Sequence, residues 1–96
     1  MDKRYWVYLL ASRRNGTLYL GSTSNLTRRV HAHRHAAVDG FTKKYAVHRL
    51  VWFEEYVAPY EMVTRERQLK KWNREWKIQL IEEANPDWID LFDTIG

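Results

Sequence analysis

The chain has 96 residues, of which 45% are hydrophobic and 29% are charged. This length supports one hydrophobic core, so we expect residues 1–96 to form a single domain. The absence of cysteine excludes disulfides and thiolate metal sites and permits a reducing compartment. The N-terminal segment lacks the apolar length of a signal peptide or a membrane span, so we expect a cytoplasmic protein without membrane contact.

The charge is divided unevenly along the chain. Residues 1–50 contain ten Lys and Arg against two acidic residues, a charge of +8, whereas residues 51–96 contain six against ten, a charge of −4. Because Lys and Arg neutralise phosphates, the basic half favours a nucleic-acid partner. By charge alone, a solvated basic surface that binds no partner is an equally good interpretation.

Two short strands open the predicted fold. Residues 5–11 (YWVYLLA) are aromatic, β-branched and apolar, which is typical of a strand covered on both faces. Residues 17–21 (TLYLG) predict a second strand. The Arg13-Arg14-Asn15-Gly16 segment between them predicts a turn, because Asn and Gly tolerate positive φ, and the two strands therefore form a hairpin.

A helix is predicted after the hairpin. Ser24 is its expected N-cap, and it runs to about Ala37 with Leu26 and Val30 on its apolar face. Asp39-Gly40 is expected to end it.

The remaining residues predict one more strand and two helices. Residues 45–56 (YAVHRLVWFEEY) are rich in strand formers. Pro59 opens the next helix, in a position where its missing N–H costs nothing, and Asn73 marks a break between two helices. The order β-β-α-β-α-α predicts an α/β (α+β) fold in which helices flank a mostly antiparallel, three-stranded sheet.

Two tyrosines share one face of the predicted hairpin. Tyr8 and Tyr19 lie on the same face with either a two-residue or a four-residue loop. A loop at Ser12–Asn15 puts them directly opposite each other, whereas a tight turn at Asn15-Gly16 separates them by four residues along the sheet. Gly21 lies on that face too, where its missing side chain lets another group approach closely. Tyrosines are also ordinary strand residues with no further role.

The first helix carries an Arg and a His that project together. Arg29 and His33 are four residues apart and lie beside the inward face. Placing either side chain at the edge of a core is energetically unfavourable unless an anion such as phosphate binds it. The alternative is an Arg that extends to water and a hydrogen-bonded His. His31 and His35 share a face by the same spacing, but no third zinc ligand is evident.

Glu66 places a carboxylate at the margin of the second helix's apolar stripe. Its neighbours Arg65 and Arg67 predict a plain ion pair, and the functional alternative is a hard divalent cation held by oxygen ligands. In residues 65–77, cations are interspersed with two Trp. We interpret this segment as an amphipathic helix rather than as a surface that binds along a nucleic-acid strand.

The order and spacing of these residues form one pattern. Tyr8 and Tyr19 are eleven residues apart, Arg29 follows ten residues later, His33 four beyond it, and Glu66 in a later helix. Together with Tyr19-Leu20-Gly21, this set resembles the GIY-YIG nuclease family. Three further segments resemble its small stand-alone branch: Gly40–Tyr45, Arg65–Trp72 and Asn85–Trp88. The first triplet keeps only its Tyr, and Ser22 stands where the repair-enzyme branch has Lys.

The resemblance implies roles for these residues. Glu66 would bind one Mg²⁺ or Mn²⁺ that polarises the scissile phosphate and stabilises the leaving 3′-oxygen. Tyr19 would act as the general base on the attacking water, which requires its phenolic pKa to be lowered by nearby cations, with Tyr8 and His33 positioning that water or relaying its proton. Arg29 would hold the phosphate.

Other residues complete the predicted site. Asn85, in preference to Asn73, is the family's terminal active-site Asn, and Gly21 has a structural role. Three cations of the basic half are predicted to contact nucleic acid: Arg28, Lys43 and Lys44.

We therefore predict a metal-dependent endonuclease acting on DNA, or on RNA. The alternatives are a non-catalytic nucleic-acid-binding module on a nuclease scaffold, and an accessory domain that acts only with a partner protein. We expect a monomer or a weak homodimer, with Trp76 or Trp88 as the dimer surface.

Overall fold

The computed structural model describes residues 3–35 and 40–95. Within these ranges, three strands form one antiparallel sheet in the order β2-β1-β3, and helices pack around it. The elements are β1 (Tyr5–Ala11), β2 (Leu18–Thr23), α1 (Leu26–Arg34), α2 (Gly40–Tyr45), β3 (Arg49–Tyr56), α3 (Pro59–Lys70), α4 (Arg74–Ala84) and a 3-10 turn at Leu91–Thr94. The α+β fold and the predicted element order are confirmed, with α2 as an added short helix. None of the helices in this part of the chain is long and apolar enough to cross a membrane.

The central strand β1 separates two hydrophobic clusters. Its odd-numbered residues face α3 and α4, so that Val7 and Leu9 pack with Leu69 of α3. Its even-numbered residues face α1, where Tyr8 and Leu10 belong to the cluster that contains Val30. Both faces of β1 are covered, which explains why its sequence is an apolar run rather than an alternation.

The hairpin register differs from both registers derived from the sequence. Tyr8 pairs with Gly21 and Leu10 with Tyr19, so the two tyrosines are displaced by two residues. The prediction that they share a face is confirmed because the displacement is even. The two predicted loop lengths were wrong, since the connection runs from Ser12 to Thr17.

Hydrogen bonds inside the connection explain its length. The Ser12 N–H donates to the Thr17 carbonyl, and the Thr17 N–H donates to the Ser12 hydroxyl, each at 3.0 Å. Asn15 takes the positive φ of 57° that the turn requires. The Arg74 guanidinium of α4 then donates to the carbonyls of Asn15 and Gly16, at 2.6 and 2.7 Å. Helix α4, which is distant in sequence, therefore stabilises the turn. The hairpin sequence by itself does not indicate this contact.

Helix α1 begins one residue later than predicted. Asn25, not Ser24, is the N-cap, because its side chain accepts from the Arg28 N–H at 3.1 Å while the Thr23 hydroxyl accepts from the Asn25 N–H. The helix ends at Arg34. The predicted end at Ala37 and the break at Asp39 lie outside the described residues.

The segment after residue 40 corrects two predictions. Gly40 begins α2 instead of ending a helix, and β3 starts at Arg49 instead of Tyr45. The helix stops because the Val47 N–H donates back to the Thr42 carbonyl at 2.9 Å, with Ala46 at a φ of 54°. The later helices follow the sequence: Pro59 opens α3. Asn73 caps α4 by accepting from the Trp76 N–H at 2.9 Å, which confirms the break.

Gly21→Ala tests the close packing of β2 on β1. A Cβ at Gly21 would meet the Tyr8 hydroxyl at 2.5 Å and its Cζ at 2.6 Å, so the buried ring must move. We expect the variant to lose about 1–3 kcal/mol of unfolding free energy, the usual cost of overpacking, in urea denaturation.

Gly40→Ala is the matched control, because a Cβ at that position meets no non-neighbouring atom within 4 Å in the described part of the chain, the helix's own backbone apart. It should unfold at the same urea concentration as the unmodified protein or slightly higher, since Ala favours helix. Equal stability of the two variants would contradict the contact between Gly21 and Tyr8.

Candidate active site

Tyr8 is the buried centre of the cluster between β1 and α1. Its side chain is 1% exposed, and Gly21 leaves the space that its ring fills. Its hydroxyl lies 3.1 Å from Nε2 of His33. A buried hydroxyl is costly without a hydrogen-bond partner, and His33 supplies one.

His33 connects two hydroxyl groups. Its Nε2 meets Tyr8, and its Nδ1 lies 3.2 Å from the hydroxyl of Thr42, which is also buried. A neutral imidazole donates from one ring nitrogen and accepts at the other, so two hydroxyls satisfy it in either tautomer. Thr42 therefore orients the ring. The sequence analysis did not select it, although it lies inside the Gly40–Tyr45 segment that matched the family pattern.

Tyr19 completes a group of three rings. Its ring centroid lies 5.1 Å from His33 and 6.4 Å from Tyr8. Tyr19 is half-buried whereas Tyr8 and His33 are buried, so among these three rings Tyr19 has the most contact with solvent. The two tyrosines and the helix histidine selected from the sequence therefore meet in one place.

Arg29 supplies the positive charge of this cluster. Burial raises the pKa of Tyr8 to about 12, while hydrogen bonding to Arg29 acts in the opposite direction. The pKa of Arg29 is raised above its ordinary value, first by hydrogen bonding to Tyr8 and also by Tyr19. Tyr8 thus keeps its proton at neutral pH, and the guanidinium keeps its charge beside both phenols.

Glu66 reaches the site from α3, on the other side of the sheet. The Ser22 hydroxyl donates to Glu66 Oε1 at 2.8 Å, and Lys70 Nζ lies 3.5 Å from Oε2. The predicted ion pairs with Arg65 or Arg67 were wrong. Arg65 instead pairs with Glu54 at 3.0 Å. The sequence signal for Lys70 was its position four residues after Glu66.

The negative charge of Glu66 contributes to the raised pKa of Tyr8, so the carboxylate acts on the tyrosine cluster electrostatically. Along β2, Gly21 faces the α1 side and Ser22 the α3 side. This edge strand therefore connects the two halves of the site. Ser22 stands where the repair-enzyme branch has Lys, and here it orients the carboxylate while Lys70 supplies a cation.

The oxygen donors around Glu66 fit a divalent cation of the Mg²⁺ type. A carboxylate and a hydroxyl are hard ligands, and Mg²⁺ commonly uses one or two carboxylates with water and substrate phosphate as its other ligands. Within residues 3–35 and 40–95, no group of three or more His, Cys, Asp or Glu is arranged to hold a metal. His31 and His35 stack with centroids 4.2 Å apart, and the described residues bring no third zinc ligand to them.

The polar groups of Asn85 are engaged by the backbone. This buried residue caps the C-terminal end of α4, and its amide nitrogen donates to the carbonyls of Val51 and Ile89 at 3.1 and 2.9 Å. Its Oδ1 accepts from the Ile89 N–H at 3.0 Å. This geometry ties the chain after α4 to β3. The tyrosine cluster does not include Asn85, and its catalytic role stays a prediction.

The three cations predicted to contact nucleic acid are exposed. Arg28 and Arg29 line a groove of about 390 Å³ that also includes Ser24 and Asn25. Lys43 and Lys44 lie on α2, the helix that carries Thr42. The two helices that carry His33 and Thr42 thus both present cations to solvent.

The chain is similar to several small proteins over most of their length. UPF0213 protein CPE1444 of Clostridium perfringens is 36% identical over 80 residues, which are 83% of this chain and 85% of that protein. UPF0213 protein HQ_3675A of Haloquadratum walsbyi is 31% identical over 84 residues, 88% of this chain and 93% of that protein. Similarity at this level, across nearly the whole of both chains, indicates common descent.

A solved structure has the same fold. The solution NMR structure of the UPF0213 protein BH0048 from Bacillus halodurans aligns with a TM-score of 0.57 at 24% identity, covering 91% of this chain and 92% of that one. The GIY-YIG catalytic domain model matches residues 4–79, a range that contains the tyrosine cluster, Arg29 and Glu66. This chain therefore belongs to the GIY-YIG catalytic domain family, a family of nucleases.

Proposed function

We propose that this protein is an endonuclease that hydrolyses phosphodiester bonds of DNA with one Mg²⁺ or Mn²⁺ at Glu66. The observation that carries the proposal is the meeting of two tyrosines, from adjacent strands, with His33: the Tyr8 hydroxyl lies 3.1 Å from its Nε2, and the Tyr19 ring centroid lies 5.1 Å from its ring. Both phenols act electrostatically on the nearby Arg29 guanidinium. A phosphate is the anion that matches this arrangement, because a guanidinium binds two of its oxygens while phenols donate or accept protons beside it.

Arg29 binds the scissile phosphate. Its raised pKa keeps it cationic, so it offsets the negative charge that builds on the phosphate oxygens in the transition state. Arg28, Lys43 and Lys44 hold neighbouring phosphates of the strand.

Tyr19 is the general base. Water attacks phosphorus, its proton passes to the Tyr19 oxygen, and the bond from phosphorus to the 3′-oxygen breaks. The reaction leaves a 5′-phosphate and a 3′-hydroxyl, which takes a proton from solvent. The Arg29 guanidinium, which Tyr19 acts on electrostatically, provides the positive charge beside this step.

Tyr8 and His33 order the water and Tyr19. With its pKa raised to about 12, Tyr8 keeps its proton and serves as a hydrogen-bond donor, not as the base. His33 accepts from Tyr8 when its Nδ1 proton is donated to Thr42, and this tautomer gives a defined direction to the Thr42–His33–Tyr8 chain.

Glu66 would hold the metal ion, with Ser22 orienting its carboxylate. A divalent ion there would supply a Lewis acid for the charge that builds on the phosphate and the leaving oxygen. Lys70 neutralises the carboxylate when the metal is absent.

Glu66→Ala and Arg29→Ala test the hydrolysis directly. We expect each variant to cut labelled DNA at least about a hundredfold more slowly, because removing one charge-stabilising group costs that much in comparable sites. The measurement is gel-resolved cleavage of single-stranded, duplex and branched DNA in Mg²⁺, Mn²⁺ or EDTA.

Glu61→Ala, on the same helix, is the control and should cut at the unmodified rate. Binding of DNA without cleavage in any metal would replace this proposal with the nucleic-acid-binding module. Cleavage that needs a second protein would identify an accessory domain.

Thr42→Val tests whether Thr42 positions His33. The substitution keeps the volume but removes the hydroxyl 3.2 Å from Nδ1, so the ring loses its hydrogen bond to residue 42 and the orientation that this bond gives it. We expect kcat to fall about tenfold, as for comparable outer-shell partners of His, with a shifted pH profile of kcat and little change in KM. Thr42→Ser should restore rate and profile. A variant that loses rate without any change in the pH profile would mean only a structural role.

Tyr8→Phe tests the protonation state of Tyr8. Because folding raises its pKa from 10.0 to about 12, Tyr8 stabilises the fold below pH 10 and this contribution is lost as the pH rises through 12. Two pKa units correspond to about 2–3 kcal/mol. In an absorbance titration of phenolate, the variant should lack the component that titrates near pH 12 and keep the rest. Loss of a component near pH 10 would contradict the assignment.

A further inference from the structure

Helix α2 presents two exposed aromatic rings beside the candidate site. Phe41 is 44% exposed and Tyr45 46%, and their ring centroids are 5.1 Å apart. They are four residues apart and so share one side of this short helix. We refer to Phe41 and Tyr45 as the aromatic platform.

The platform continues the row of rings in the active site. The Phe41 centroid lies 6.2 Å from Tyr19, which in turn lies 5.1 Å from His33. A row of four rings thus leads from the buried hydrogen-bonded centre to the surface. The separations are those of interacting aromatic pairs, so each ring limits the position of the next.

The platform is also fixed to the active site through the helix itself. Thr42, between the two rings in sequence, is 1% exposed and hydrogen-bonds His33. The Val47 N–H holds the other end of α2 by donating to the Thr42 carbonyl at 2.9 Å. A molecule that contacts the platform is therefore held at a defined distance from Tyr19.

The charges around the platform are positive. Lys43 and Lys44 are exposed on the same helix, and Lys44 Nζ lies 5.3 Å from the centre of the Tyr45 ring. Arg28 and Arg29 lie on α1, and neither α1 nor α2 contains Asp or Glu. Asp39, directly before α2, lies outside the described residues. A molecule that binds at the aromatic platform must therefore combine flat apolar faces with negative charge.

We infer that Phe41 and Tyr45 stack the bases of an unpaired DNA strand whose scissile phosphate lies at Arg29, so that the substrate is single-stranded DNA. In a duplex the faces of each base are covered by its neighbours, and only an unpaired strand can offer them to a protein ring. Lys43 and Lys44 bind the phosphates that flank the stacked bases. The inference rests on the proposed function and names its substrate class.

The experiment compares binding of single-stranded and duplex DNA in EDTA, where the proposed reaction cannot proceed. Fluorescence anisotropy is measured with a labelled oligothymidylate and with a labelled hairpin duplex of equal length. Phe41→Ala and Tyr45→Ala remove one ring each. Phe41→Trp keeps a stacking surface, and Tyr60→Ala removes an aromatic side chain of α3 that is 73% exposed and outside the site.

We expect each alanine variant to bind the single strand about 5- to 100-fold more weakly, the usual effect of losing one stacked base. Duplex binding should change less than about twofold, because contacts to phosphate do not depend on the rings. Phe41→Trp and Tyr60→Ala should bind the single strand as the unmodified protein does.

Unchanged single-strand binding by both alanine variants would overturn the inference. Equal losses for the single strand and the duplex would also overturn it, since they would reflect a disturbed helix. A folded Phe41→Trp variant as weak as Phe41→Ala would do the same. If the expected binding pattern holds but no metal supports cleavage, the platform stands and the proposed hydrolysis fails.

Discussion

The contact of the Tyr8 ring with Gly21 is the constraint on which the site depends. A phenol on the central strand has no route to solvent, so it needs both space and a hydrogen-bond partner. Gly21 gives the space because it has no side chain. His33 gives the partner from α1. The pairing of Gly21 with Tyr8 across the hairpin and the contact of α1 through His33 both accommodate this one side chain.

The site combines two faces of one sheet because an edge strand alternates between them. Gly21 faces α1 and the tyrosine cluster, and Ser22 faces α3 and the carboxylate of Glu66. The Arg29 cation and the Glu66 carboxylate lie on different helices, and both act electrostatically on Tyr8.

Part of this organisation follows from sequence alone. Tyr8 and Tyr19 lie on one face of the sheet because side chains alternate along a strand and the two tyrosines are displaced by an even number of residues. Arg29 and His33 project together because residues four apart lie on the same side of a helix. The hairpin register did not follow, since it depends on Arg74 reaching the turn from a distant helix. The helix containing Thr42 is too short to show a helical period. Lys70, the cation that pairs with Glu66, is one of three cations of α3, and the sequence favoured the two that adjoin Glu66 in the chain. Long-range partners, not local propensities, account for these differences.

The small size of this chain explains why residues of the candidate site are also core residues. At 96 residues there is little room for a separate core beneath the site, so Tyr8, His33 and Thr42 belong both to the core and to the candidate site. Burial then has a chemical effect: it raises the pKa of Tyr8 to about 12 and keeps its proton in place, whereas Tyr19 is less buried and keeps contact with solvent. Two tyrosines of the same chemistry have different surroundings because one lies on the central strand and the other on the edge strand.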